Sequence, residues 1–460
     1  MQNLPRIVIA GVSSGTGKTT VTAGVLCALK KRNFSLASFK IGPDYIDPSY
    51  HELLSGAKCN NLDSWLIGEK EVSNLFYQTA KDVDISVIEG VMGLYDGGRE
   101  GVSSTAEIAK LIDAPVILVI NCKSIGASAA AIATGFRDYD KDMKFAGVIL
   151  NKLGSKSHEN MIREAMKKAN IKVFGAIKRD ENLHLPERHL GLLPAEENEQ
   201  KDELVKYFSE IEKQLNIDEI IAVSKNVDPV KNISFISRKS EQKNVKIAVA
   251  KDEAFSFYYE DSLSVLEEMG AEIIDFSPLY DEKLPPCDGL ILGGGFPEMF
   301  AEKLEKNISM RDSIKNAAQN GLPIYAECGG YMYLMKSIAD LSGKCFNMAG
   351  VIDKQAKMQY KLQTVGYVTA TQIRDTIFGK KDVKFRGHEF HFSVADEEEN
   401  LSAFTMEKMR TGKKYLAGYA KKNILGSYLH LHFRGEKEAA ENFINSCLNY
   451  KNKKGELWEK

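Results

Sequence analysis

The chain has 460 residues, 43% hydrophobic and 27% charged, with 36 Gly and 12 Pro. That excludes a lone small module, large-scale disorder and a collagen-like fibre, and at ~150 residues per domain it points to two or three domains. Sixty-one Lys and Arg against 63 Asp and Glu leave a net charge of -2, so no bulk field draws the molecule to nucleic acid or anionic lipid, and any anion it binds needs a local site.

The N-terminus runs at once into a short apolar strand, Ile7 to Ala10, without a secretory h-region, and no apolar stretch reaches the ~18 to 20 residues of a membrane span. A cytoplasmic protein without a membrane or nucleic-acid partner is expected. The seven cysteines contain no C-x-x-C pair, which fits a reducing compartment rather than a disulfide framework or zinc ribbon. After the first strand comes Gly11-Val12-Ser13-Ser14-Gly15-Thr16-Gly17-Lys18-Thr19-Thr20, then a helical stretch, Val21 to Lys31. Glycines let successive backbone N–H groups face a phosphate, a Lys adds a point charge near the β- and γ-phosphates, and a Thr hydroxyl can ligate Mg²⁺. Gly15, Thr16, Gly17, Lys18, Thr19 and Thr20 are therefore candidate nucleotide-binding residues. The usual G-x-x-x-x-G-K-[ST] spacing would place a Gly at 12, where this chain has Val12 and carries Gly11 one residue earlier.

Strands Leu36 to Ile41, Ile85 to Ile88, Val116 to Ile120 and Gly147 to Leu150 follow, alternating with helical periods such as Glu159 to Ala169. Continuous apolar strands between helices spell a βαβ series and a doubly wound parallel sheet. In such a sheet ligands lie at the carboxyl ends of the strands. Three segments open there. Lys40-Ile41-Gly42-Pro43-Asp44-Tyr45-Ile46-Asp47-Pro48 offers Lys40, Asp44, Tyr45 and Asp47 to a substrate, with Asp96 expected in the same cluster. Glu89 ends the strand Ile85 to Ile88 beside the phosphate loop and, with Thr19, is the candidate Mg²⁺ ligand. Asn151 ends a later strand, where an amide can meet an adenine edge.

From Asn198 to Asn244 apolar runs thin out, so residues 1–235 are read as a nucleotide-binding domain, 236–243 as a linker and 244–450 as a second domain; the charged tail from Lys451 is expected to fray. The second series starts with Val245 to Ala250, Ile273 to Phe276, Gly289 to Leu292 and Leu322 to Ala326, with a helix at Ser262 to Met269. Later strands, Val365 to Thr371, Val383 to Phe392, Tyr415 to Ala420 and Leu425 to Leu429, have no long helices between them and predict added antiparallel structure. Leu322 to Ala326 leads into Glu327-Cys328-Gly329-Gly330, a tight strand-to-helix turn crowded with small residues, the setting of a nucleophile. Cys27, Cys122, Cys345 and Cys447 lie in apolar or helical surroundings and read as small buried hydrophobes. A thiolate needs an imidazole. Gly426-Ser427-Tyr428-Leu429-His430-Leu431-His432-Phe433 offers two, on one strand face by alternation. The N–H groups of Gly294, in Gly293-Gly294-Gly295, and of Gly329 are candidates to hold an oxyanion.

The phosphate loop resembles that of dethiobiotin synthetase-like domains, and Lys40 to Pro48, Glu89 to Gly97 and Ala326 to Leu334 are similar to the signature segments of the cobyrinate a,c-diamide synthase family. The Cys328 and His430 segments resemble class I glutamine amidotransferases of the subtype lacking the acidic third member, since Phe433-Arg434-Gly435 stands where a full triad would show Pro-x-Glu. The resemblance implies an α/β chain in which a P-loop doubly wound domain precedes an amidotransferase domain. It implies ATP and Mg²⁺ as cofactors, a corrinoid polycarboxylate and glutamine as partners, Cys328 as nucleophile, His430 as base with His432 the weaker choice, and amidation of two acetate carboxylates through acyl phosphates. The nickel-sirohydrochlorin a,c-diamide synthases and cobyric acid synthases are its nearest alternatives, and a homodimer is left open. A partitioning-type ATPase switch is the alternative of another class; Ser13 stands where those proteins carry a signature lysine, and they have no use for Cys328 and His430.

Overall fold

Seven parallel strands form the sheet of the first unit: β1 (Arg6–Gly11), β2 (Leu36–Ile41), β3 (Cys59–Leu62), β4 (Ile85–Glu89), β5 (Val116–Asn121), β6 (Phe145–Leu153) and β7 (Val173–Lys178), in the spatial order β3-β2-β4-β1-β5-β6-β7. The computed structural model describes residues 3–179, 187–188, 191–192, 201–231, 233, 244–395 and 400–458, and the chain divides into two units, Met1–Phe235 and Ile236–Lys460. β1, β2 and β4 are buried along their whole length, which is why they read as unbroken apolar runs. β3 and β7 are additions to the sequence expectation: Cys-Asn-Asn-Leu has no β-branched or aromatic residue, and in Val-Phe-Gly-Ala-Ile-Lys the strand-favouring Val, Phe and Ile are interrupted by glycine, which breaks the apolar run. The strand order reverses around β1, and α1 (Lys18–Lys31) starts directly after its loop, so the phosphate loop opens at the switch point.

Helices Lys201–Ile211 and Ile217–Lys225 close this core with Leu204, Phe208, Ile211 and Ile220. They fall inside the stretch expected to be poor in apolar structure, because an amphipathic helix shows mostly its charged face in composition. The expected linker 236–243 lies outside the described residues.

In the second unit a six-stranded sheet runs Ala271–Phe276, Val245–Ala250, Gly289–Leu292, Ile324–Glu327, Ile424–Ser427 and Tyr419–Lys421, parallel except for the last pair. A five-stranded antiparallel sheet runs Lys414–Ala417, Phe404–Lys408, Thr364–Gln372, Lys384–His391 and Leu429–Leu431. The two late segments expected as single strands are each split between these sheets. Gly418, at φ 77°, separates Lys414–Ala417 from Tyr419–Lys421, and Tyr428 separates Ile424–Ser427 from Leu429–Leu431. The C-terminal segment is helical through Trp458 rather than frayed from Lys451. No helix among the described residues is long and apolar enough to cross a membrane.

Candidate functional site

β1 ends in Gly11, and the chain folds back over the strand end before α1 begins. A Cβ on Gly11 would lie 2.4 Å from Thr16 Oγ1 and 3.0 Å from the Lys18 side chain, so the fold-back needs glycine there. Val12 has no such constraint; its N–H donates to Val119 O at 3.3 Å. Gly15 and Gly17 turn through φ 73° and 91°. Asn151 Nδ2 donates to Thr16 O at 2.8 Å and would stand 2.2 Å from a Cβ on Gly17. The structure therefore sets Asn151 as a clip on the phosphate loop, buried beside it. Lys18 Nζ donates to Ser13 O and Met92 O at 3.2 and 2.6 Å, and burial together with the neighbouring Lys40 charge pulls its pKa down. Thr19 and Thr20 follow on the first turn of α1.

Glu89 is the centre of the first site. It is fully buried at the end of β4; Oε1 accepts from Thr19 Oγ1 at 2.7 Å and Lys40 Nζ at 3.0 Å, and Oε2 lies 2.7 Å from His51 Nε2. Burial opposes its charge, but the Lys40 ammonium and the His51 and Thr19 hydrogen bonds outweigh it and hold the carboxyl below the usual range. The hydroxyl of Thr19 and this ionised carboxylate are hard oxygen donors side by side, a set that fits Mg²⁺. Lys40 also reaches Asp47 at 2.5 Å and Asp44 at 3.7 Å. Despite burial, those carboxylates and Glu89 keep its pKa well above the ordinary value. Burial and the adjacent Asp44 push the Asp47 carboxyl up against the pull of Lys40. Asp44 Oδ1 accepts from the N–H groups of Ile46 and Asp47 at 2.9 and 3.2 Å, where α2 (Ile46–Ser55) begins, and Tyr45 lies between them. Asp96 stands in the loop after β4, where Oδ2 accepts from Gly93 N–H at 3.1 Å and Leu94 N–H reaches Gly11 O at 2.8 Å. That contact is inside its own loop rather than with Asp44 or Asp47. His51 is absent from the sequence reading: one histidine on an ordinary helix gives no signal until the fold sets it against Glu89.

In the second unit Cys328 occupies the turn after Ile324–Glu327 with φ 45°, a left-handed conformation costly for a non-glycine residue. A Cβ on Gly330 would meet Leu292 O at 2.1 Å, and one on Gly329 would meet Gly295 N at 3.0 Å, so the small residues are imposed by contact with the neighbouring strand and loop. Cys328 stands near enough to His430 for its sulfur to favour the charged imidazole. A Cβ on Gly294 would stand 2.9 Å from His430 Cε1, so Gly294 borders the imidazole, while Gly329 follows the thiol in the chain and packs on Gly295. His430 Nδ1 lies 3.3 Å from Glu327 Oε2, and burial, which opposes its charge, is outweighed by Cys328 and Glu327, which push the imidazole up to about 10.

His432 does not share this face. The strand ends at Leu431, and His432 stacks on Tyr259 with Nδ1 3.3 Å from Ser262 Oγ. Burial brings its pKa down to about 4, so it is a neutral core group. Arg434 pairs with Asp261 at 2.6 Å and Glu268 at 3.1 Å. Of the other thiols, burial pushes Cys27 and Cys122 up to about 11 and Cys287 to about 12. Cys345, expected among buried hydrophobes, is exposed on a short strand.

Comparison with known proteins matches residues 7–193 to the CobQ/CobB/MinD/ParA nucleotide binding domain family and residues 246–438 to the CobB/CobQ-like glutamine amidotransferase domain family. Over nearly their full length, proteins named cobyrinate a,c-diamide synthase are similar to this chain. That of Caldanaerobacter subterraneus subsp. tengcongensis is 44% identical over 447 residues, covering 96% of this chain and 98% of the relative. That of Dehalococcoides mccartyi strain CBDB1 is 42% identical over 454 residues, with the same coverage. That of Listeria innocua serovar 6a is 43% identical over 437 residues, covering 93% and 96%.

Proposed function

The chain belongs to the cobyrinate a,c-diamide synthase family, and from that premise we propose that it is a glutamine-dependent ligase that uses ATP to convert the a and c acetate carboxylates of cobyrinate to amides. The observation that carries the reading is the His430 imidazole, set between Glu327 and the Gly294 loop beside the strained strand-to-helix turn of Cys328, in a chain whose other unit sets a phosphate loop against a buried carboxylate.

In the second unit Cys328 Sγ attacks the carboxamide carbon of glutamine while the N–H groups of Gly329 and Gly294 receive the oxyanion. His430 passes a proton to the departing nitrogen, the C–N bond breaks and ammonia leaves; water then cleaves the thioester and frees glutamate. In the first unit a substrate carboxylate oxygen takes the γ-phosphoryl group of ATP and ADP leaves. Gly15 to Thr20 cradle the phosphates, and Lys18 exchanges its carbonyl partners for phosphate oxygens as charge spreads over the transferring group. Thr19 and Glu89 would hold Mg²⁺, which would supply further positive charge there. Ammonia then attacks the acyl phosphate and inorganic phosphate departs. Asp44, Tyr45 and Asp47 open beside this centre and Asp96 follows β4; we assign them to the corrinoid, with Lys40 holding Asp44 and Asp47 at the Glu89 end.

The test is direct. The protein is incubated with cobyrinic acid, MgATP and glutamine, and the amides are counted by mass spectrometry. Two are expected; none, or four, would refute the assignment, and conversion of nickel sirohydrochlorin in place of cobyrinic acid would move the substrate to the nickel tetrapyrrole.

A further inference from the structure

A thiol–imidazole pair works when the ring presents the correct nitrogen, and in full triads a carboxylate enforces this by accepting the proton of the other nitrogen. The segment after His430 supplies no such group: Leu431-His432-Phe433-Arg434-Gly435 holds no carboxylate, His432 is turned onto Tyr259, and Arg434 is committed to Asp261 and Glu268. The carboxylate instead comes from the other side of the turn. Glu327, the residue immediately before Cys328, ends the strand Ile324–Glu327 with Oε2 3.3 Å from His430 Nδ1. Its Oε1 accepts from Leu431 N–H at 3.1 Å and from the Tyr325 hydroxyl. Both Glu327 and His430 are buried.

We propose that Glu327 is the positioning carboxylate of the Cys328–His430 pair. Resting on the glutaminase reading of that pair, the proposal gives the two carboxylate oxygens separate tasks. Oε1 is held by Leu431 and Tyr325 and so fixes the side chain; Oε2 takes the His430 Nδ1–H, which leaves Nε2 for the thiol. One residue apart on the strand-to-helix turn, nucleophile and positioning group are aligned by the same backbone. A carboxamide at 327 keeps an acceptor for Leu431 and Tyr325 but turns a donor toward Nδ1, which selects the wrong tautomer.

Glu327→Gln therefore is expected to lower kcat for glutamine hydrolysis by ~100-fold or more, with KM for glutamine within about threefold of wild type. Glu327→Asp, which restores the acceptor at shorter reach, is expected to recover at least ~10-fold of that loss. Spectra of the full chain with selectively ¹⁵N-labelled histidine, assigned by loss of the resonance in His430→Gln, are expected to show wild-type His430 protonated at Nδ1 at neutral pH. A bare Nδ1 in the wild type would overturn the proposal even if every variant at 327 failed to fold. So would a Glu327→Gln kcat within about threefold of wild type, or equal losses in the Gln and Asp variants, since those mark a mere anchor for Leu431. Absence of glutamine hydrolysis in the wild type would overturn the pair itself, and the inference with it; hydrolysis that survives in Glu327→Gln overturns the inference alone.

Discussion

Cys328 and His432 show how far residue type alone carries. The turn that carries the thiol was legible, because Glu-Cys-Gly-Gly after an apolar strand spells a strand-to-helix junction crowded with small residues. Cys328→Ala is expected to abolish amidation from glutamine while synthesis from added ammonium chloride continues, as amide counting by mass spectrometry would show; loss of both in a folded variant would place the thiol in the ligase chemistry as well. Residue type alone put His430 and His432 on one strand face and only the family resemblance preferred His430; in the fold the strand stops between them. His432 then makes a different prediction. Burial brings its pKa from 6.5 down to about 4. Between those values the unfolded chain binds a proton that the native chain does not, so the residue's contribution to stability falls as pH drops through that window. His432→Gln is expected to remove about 3 kcal/mol of that pH dependence, measurable as a flatter plot of unfolding free energy from pH 6.5 to 4; an unchanged slope would contradict a buried neutral imidazole.

At the scale of elements, crowding at one turn decides the second site. The Gly330 backbone, on the first turn of the helix Gly329–Leu334, packs against Leu292 O so closely that a Cβ would stand 2.1 Å from it, and the strand Gly289–Leu292 cannot yield without disturbing the sheet. Gly330→Ala is therefore expected to cost ~1–3 kcal/mol from overpacking and to reduce glutamine hydrolysis with it, as urea unfolding and a glutaminase assay would record. Strands with branched apolar runs were read to within two residues at most ends, whereas β3, which has no branched or aromatic residue, and β7, whose apolar run Gly175 interrupts, were not, and their place is plain only from their pairing in the sheet. The splitting of two late segments between sheets was equally hidden. Gly418 and Tyr428 look ordinary in sequence, and the bend at Tyr428 is what carries His430 off the parallel sheet to pair with His388 on the antiparallel one.

Across the whole molecule, each unit has its own buried clusters: Ile7, Val87 and Phe208 belong to one, Phe255, Tyr333 and Phe404 to those of the other. Units with separate cores unfold as separate transitions unless their interface couples them. MgATP at 100 times its Kd is expected to stabilise the first unit by about 2.7 kcal/mol and to raise one transition in calorimetry of the full chain. Lys18→Ala is expected to lose that shift while still hydrolysing glutamine; a shift of equal size in the variant would dissociate Lys18 from the phosphates. By itself the sequence determined what depends on local spacing: the phosphate loop, the βαβ series, the thiol on its turn and the order of the two chemistries along the chain. Only the tertiary structure decided what depends on residues distant along the chain meeting in a buried place, where a charge must find a partner to be tolerated. His51 on Glu89, Lys40 among three carboxylates, Asn151 on the phosphate loop and Glu327 on His430 are all of that kind. Periodicity reports which face of an element is covered, and it carries no information about which side chain of another element does the covering.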